Sequence, residues 1–259
     1  MTPRVAWLYS LTRSGSSAAV YASAHALGWA VADEPFGPWD RTGPPYNYPS
    51  EQVKLHREHT AAGERLNPKT ARLFERLITA IASKKGAPGV IVKMPHDMIE
   101  PRDIEQNRPL DTAAFLVRDP IARLNSIYTR GWVDTIEHPY DIERVRLFAH
   151  RAMRAPRLNR LRFEMLHGTP RRFFRRLWRA WRIDFTEDNV EAAVRYRAQN
   201  YHESSADQQP GRNPHRVLSE LRTDVPPESV ELYMNDPVVS AVCARAGWDT
   251  DAHRYTRGR

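Results

Sequence analysis

The first run of residues able to do chemistry is Arg13-Ser14-Gly15-Ser16-Ser17. Set between a strand and a helix, it would present successive backbone N–H groups at a helix N-terminus, where the helix dipole adds positive potential. Glycine lets the backbone approach an anion, the serine hydroxyls add donors, and Arg13 adds a fixed charge. The combination suits a phosphate or sulfate. It is not the G-x-x-x-x-G-K-[ST] loop of nucleotide kinases, because the first glycine and the Gly-Lys pair are missing. The same five residues also suit an ordinary turn. A second run, Phe115-Leu116-Val117-Arg118-Asp119-Pro120, is followed by Ser126. Arg118 would stand at the carboxyl end of a strand and Ser126 in the second turn of the helix that Pro120 opens. Together they could hold a second phosphate group. Alternatively, Arg118 pairs with Asp119 or a carbonyl, and Ser126 is a surface residue.

These runs need a sheet to carry them. Residues 4–11 read as a buried strand, Thr12 to Gly15 as a turn, and Ser16 to Leu27 as a helix of mainly small residues ending near Gly28. Residues 29–32 read as a short strand closing on Asp33-Glu34-Pro35, and 36–66 as an irregular loop over the sheet, with Gly37-Pro38 and Gly43-Pro44-Pro45. Asn67-Pro68 starts a helix with Leu73, Phe74, Leu77, Ile78 and Ile81 on one face, stopped by Gly86. Residues 89–93 and 113–117 read as two further buried strands, and 120–131 as a helix. The order β-α-β-α-β-β-α predicts an α/β fold, a parallel sheet flanked by helices on both faces. The second half reads as mainly helical. There Thr169-Pro170 opens a helix with Phe173, Phe174, Leu177, Trp178 and Trp181 on one stripe and arginines over much of the rest. Residues 202–215 read as a polar loop, and helical sections return from Glu228 and again over Val238 to Ala246.

With 259 residues, 41% of them hydrophobic, the chain can bury a substantial core, which excludes wholesale disorder and predicts one domain over 1–259. No apolar run approaches the roughly 18 residues of a membrane span. Val5 to Leu11 is too short for a signal sequence, so a soluble, cytoplasmic protein without stable membrane insertion is expected. The single cysteine, Cys243, excludes an internal disulfide and a cysteine-based zinc cluster. The formal charge is +8, and of 39 basic residues 34 are Arg. That balance permits an anionic partner, and codon bias would produce it equally well.

Taken together, Arg-Ser-Gly-Ser-Ser after a strand, Glu34-Pro35 after the first helix, and Leu-Val-Arg-Asp-Pro with Ser126 downstream resemble the sulfotransferase family. The wording is nearest to its carbohydrate 6-O-sulfotransferase branch, and the likeness covers about residues 4–40 and 89–130. The resemblance implies the sulfotransferase variation on the P-loop fold. It implies 3′-phosphoadenosine 5′-phosphosulfate (PAPS) as donor, its bisphosphate (PAP) as product, and no metal. Arg13, Ser14, Gly15, Ser16 and Ser17 would bind the 5′-phosphosulfate, with Arg13 near the bridging oxygen. Arg118 and Ser126 would bind the 3′-phosphate. Two departures stand out: the C-terminal Arg-x-Gly-x-x-Gly-x-Trp-Lys segment of the cytosolic branch is missing, and so is the membrane anchor of the Golgi branch. They point to a soluble, bacterial-type member and leave the adenine contacts open.

Sulfuryl transfer also needs a base for the acceptor proton. The resemblance places Glu34, with Asp33 beside it, at the end of the second strand facing the donor. His96, in Val92-Lys93-Met94-Pro95-His96, competes for the role, and Lys93 would then help neutralise the transferring group. The bland alternatives are a solvated strand-end acid, a capping or core histidine and a solvated strand-end lysine. The expected acceptor is a hydroxyl or amine of a small molecule or carbohydrate, with no nucleic acid as partner. Two rival readings stay open here: an ATP-dependent phosphotransferase with a degenerate phosphate loop, and a non-catalytic module whose Arg-rich helix at 170–182 binds anionic lipid or nucleic acid.

Overall fold

A computed structural model describes residues 3–11, 14–36, 49–63, 65–94, 101–128, 138–202 and 225–246. Strands β1 (Arg4–Ser10), β2 (Ala30–Asp33), β3 (Gly89–Met94), β4 (Thr112–Val117) and β5 (Arg160–Arg162) form a sheet in the order β2-β3-β1-β4-β5. Every neighbouring pair is parallel. The central strand β1 is apolar on both sides, as a sheet covered by helices on both faces requires. Val5, Trp7 and Tyr9 enter one core and Ala6 and Leu8 the other.

The first core is closed by α3 (Pro68–Lys85), α5 (Pro120–Tyr128), α6 (His138–Arg154), α10 (Pro227–Met234) and α11 (Pro237–Ala246). The second is closed by α1 (Ser16–Leu27), α8 (Pro170–Ala180) and α9 (Glu187–His202). The α8 stripe is core: Phe173, Phe174, Leu177, Trp178 and Trp181 are fully buried. Two indole N–H groups fasten it, Trp178 donating to Ser23 Oγ and Trp181 to the Trp7 carbonyl, both at 2.9 Å. On the outer side Arg171 and Arg175 pair with Glu191 and Glu187 of α9. The apolar stripe that an interfacial helix would offer to lipid is therefore spent inside the fold.

The structure departs from the sequence reading in three places. The stretch read as a loop over 36–66 contains α2 (Pro49–Ala61), packed on α3. Its inward positions include Leu55 and His59, four residues apart, and a histidine does not register as part of an apolar stripe. The β3–β4 connection holds a seven-residue helix, α4 (Pro101–Asn107), anchored by a buried acid, Asp103, which accepts from Arg65 Nε at 2.7 Å and Leu66 N at 3.1 Å. The edge strand β5 has one apolar residue, Leu161, between two arginines, too little for an alternation to be read. The segment 129–131 of the expected helix and residues 203–215 of the polar loop lie outside the described residues.

The chain leaves β1 for β2 and β3 on one side and then crosses to β4 and β5 on the other. Such a reversal opens a crevice at the carboxyl ends of the strands.

Candidate functional site

Described residues at the carboxyl ends of the five strands, or just after them, gather around that crevice. After β1, Ser14 N donates to Leu11 O at 3.1 Å, turning the chain into Gly15, which is left-handed at φ 78°. Helix α1 then starts with no side chain capping its N-terminus, so its first N–H groups and the positive end of its dipole face the crevice. Glycine is required at position 15 for two reasons. Only glycine holds this φ cheaply, and a β-carbon there would come within 2.5 Å of Phe163 Cδ2 and closer still to Cε2. Ser14 and Ser16 are buried beside it. Arg13 lies outside the described residues.

On the other side of the crevice the β2–β3 register sets Asp33 against Lys93. The Lys93 ammonium lies 2.7 Å from Asp33 Oδ1 and 3.3 Å from Glu34 Oε1, and it donates to Ser17 Oγ at 3.2 Å. Its side chain is only 10% exposed, so this is a desolvated charge shared by two carboxylates and a serine of the loop. Asp33 is fixed from behind by Tyr21, whose hydroxyl donates to Oδ2 at 3.0 Å. Glu34 takes a left-handed backbone, φ 53°, while its N–H donates to Lys93 O at 2.9 Å. A non-glycine residue in that region costs about 1–2 kcal/mol, a strain that clusters at functional positions. Thus Glu34, Lys93 and Ser17 meet at one point. His96 lies outside the described residues.

Beyond β4, Arg118 lays its guanidinium over the Phe163 ring, 4.4 Å from the centroid. Asp119, the alternative partner proposed for it, caps α5: Oδ1 accepts from Ile121 N at 2.8 Å and Ala122 N at 3.1 Å. Ser126 is half-buried on α5, in its second turn. The same aromatic ring thus supports Arg118 and fills the space beside Gly15, joining the two halves of the expected anion site.

Phe163 opens α7 (Phe163–Gly168) directly after β5, and it was not foreseen, because a strand of three residues carries no readable pattern. Glu164 was missed as well. Its Oε1 accepts from Asp119 N at 3.3 Å, and burial pushes its carboxyl above the usual range. Asp33 was read only as a neighbour of Glu34, and its partner Tyr21 had no signal at all. Among the described residues no three His, Cys, Asp or Glu side chains gather to hold a metal ion.

No family model matches the chain, and no curated protein matches it. Among solved structures it is similar to the sulfotransferase domain from the curacin biosynthetic pathway, with 14% identity and a TM-score of 0.47 over 95% of this chain and 98% of that one. It is also similar to the sulfotransferase domain from the Synechococcus PCC 7002 olefin synthase, with 15% identity and a TM-score of 0.43 over 96% of each chain.

Proposed function

We propose that the protein is a sulfotransferase moving a sulfuryl group from PAPS to a hydroxyl or amine of a small-molecule or carbohydrate acceptor. The observation that carries this reading is the meeting of Lys93, Glu34 and Ser17 beside the uncapped, glycine-hinged start of α1. The residues fit such a donor. An anion is the natural cap for α1, Gly15 supplies the left-handed turn that leads into its first N–H groups, and Arg118 offers a second cationic point on the neighbouring strand end.

The donor supplies an activated sulfuryl group when bound. The N–H groups of α1, with Ser14, Ser16, Ser17 and Arg13, hold its 5′ side by preorganised dipoles and charge. Lys93, already bonded to Ser17, sets a positive charge where negative charge builds during transfer. Glu34 receives the acceptor proton at the carboxylate that lies 3.3 Å from the Lys93 ammonium, with His96 the competing base. Asp33, itself held by Tyr21, fixes Lys93 in place. Arg118 and Ser126 bind the 3′-phosphate and so distinguish this donor from ATP.

The test is turnover. Release of PAP from PAPS should depend on an added hydroxylated or amino acceptor and proceed in the presence of a metal chelator. Phosphoryl transfer from magnesium-ATP, with no reaction from PAPS, would overturn the reading in favour of a phosphotransferase.

A further inference from the structure

Arg197 of α9 is a charged side chain only 7% exposed. Its Nη2 lies 2.7 Å from His167 Nδ1, and no carboxylate among the described residues pairs with it. A guanidinium only donates, so Nδ1 accepts this hydrogen bond. The imidazole therefore aims the guanidinium without neutralising it. A buried, uncompensated cation is costly unless a counter-charge arrives. Burial alone holds this guanidinium below its ordinary range.

Its position shows where the counter-charge would come from. His167 packs edge-on against Phe163, ring centroids 4.6 Å apart. Phe163 is the ring that borders Gly15 and carries Arg118. Helix α9 enters from the far end of α1, where Asn189 Nδ2 donates to Ala26 O at 2.7 Å, and its Val190 and Ala193 share a core with Ala19 and Val20. Tyr196, the neighbour of Arg197 on α9, stacks on His25 of α1 with ring centroids 4.5 Å apart. One continuous aromatic wall, Phe163 and His167, has Arg118 on one part and Arg197 on another.

We propose that Arg197 is a further anion anchor of the donor pocket, binding a phosphate oxygen of the nucleotide, with His167 as the residue that positions it. This rests on the donor reading above and adds a residue that the two sequence motifs do not contain. Five N–H donors in a rigid fork suit a phosphate, and one of them is spent on His167.

Calorimetric titration of wild type, R197Q and R197K with PAP, AMP and adenosine tests it, with a thermal melt of each variant. R197Q should lose about tenfold or more in affinity, the effect of removing charge-assisted hydrogen bonds. A loss shared by AMP and PAP assigns Arg197 to the 5′-phosphate, and a loss for PAP alone assigns it to the 3′-phosphate. Either supports the proposal when adenosine is unaffected. R197K, keeping the charge but not the fork, should fall between. Unchanged affinities in a folded variant, or an equal loss for adenosine, overturn it. So does failure of both variants to fold, which marks the guanidinium as a packing element. Wild type that binds none of the three ligands overturns the donor reading itself.

Discussion

Replacing Gly15 by alanine adds one methyl group at the hinge between β1 and α1, and two costs can be worked out for it. The first is the backbone: φ is 78°, and an L-residue held there loses about 1–2 kcal/mol. The second is space: the new carbon would stand within 2.5 Å of the Phe163 ring, which must move against its contacts with Arg118 and His167, an overpacking cost of roughly 1–3 kcal/mol. The sum is about 2–5 kcal/mol, a drop in Tm of the order of 5–15 °C for a chain of this size. Denaturant melts of G15A, F163A and the double variant separate the two costs. F163A removes the clash but not the strain, so the double variant should be more stable than the two single losses added together, by about 1–3 kcal/mol. PAP affinity should fall in G15A beyond what stability accounts for, because the displaced ring carries Arg118. A G15A protein within about 0.5 kcal/mol of wild type, or additive losses, would refute the reasoning.

The R118A variant should lose at least about tenfold in affinity for PAP while AMP changes little, read by calorimetry; equal losses for both would place Arg118 elsewhere. E34Q keeps the shape of Glu34 but cannot take a proton, so turnover at saturating donor should drop by about two to four orders of magnitude with PAP binding retained. A dead H96N beside an active E34Q would move the base to His96. The Cys243 thiol is pushed up to about 12, first by burial and then by the Asp119 charge. It should resist alkylation at neutral pH in the native protein. Because the unfolded thiol ionises at lower pH than the folded one, stability should fall as pH rises from about 9 toward 12. The slope is about 1.4 kcal/mol per unit, and C243A should lack that component in a comparison of pH-dependent melts.

How far the fold was legible depended on whether a segment's own residues decided its structure. Helix α1 has the bounds read from sequence, because Gly28 stops it and the Ser/Gly turn starts it. Strands β1, β3 and β4 were legible as apolar runs, since parallel strands are buried on both faces. The segments that escaped are those whose burial depends on a partner. Helix α2 is buried through Leu55 and His59 against α3, α4 through an acid that Arg65 and Leu66 satisfy, and β5 through pairing with β4. The site divides the same way. The loop serines, Gly15, Glu34, Lys93 and Arg118 sit next to strand ends, and the motifs mark them as candidates. Tyr21, Phe163 and Arg197 join the candidate site through contacts distant in sequence, Arg197 lying 30 residues from His167, and no local pattern marks them.

In the proposed function two anion sites, the start of α1 and the Arg118 end of β4, together hold one doubly phosphorylated nucleotide. Parallel calorimetric titrations of the wild-type protein with PAP and AMP test it most directly. PAP should bind at least about tenfold more tightly than AMP, the difference being the 3′-phosphate held by charge-assisted bonds. Equal affinity for the two nucleotides would contradict it.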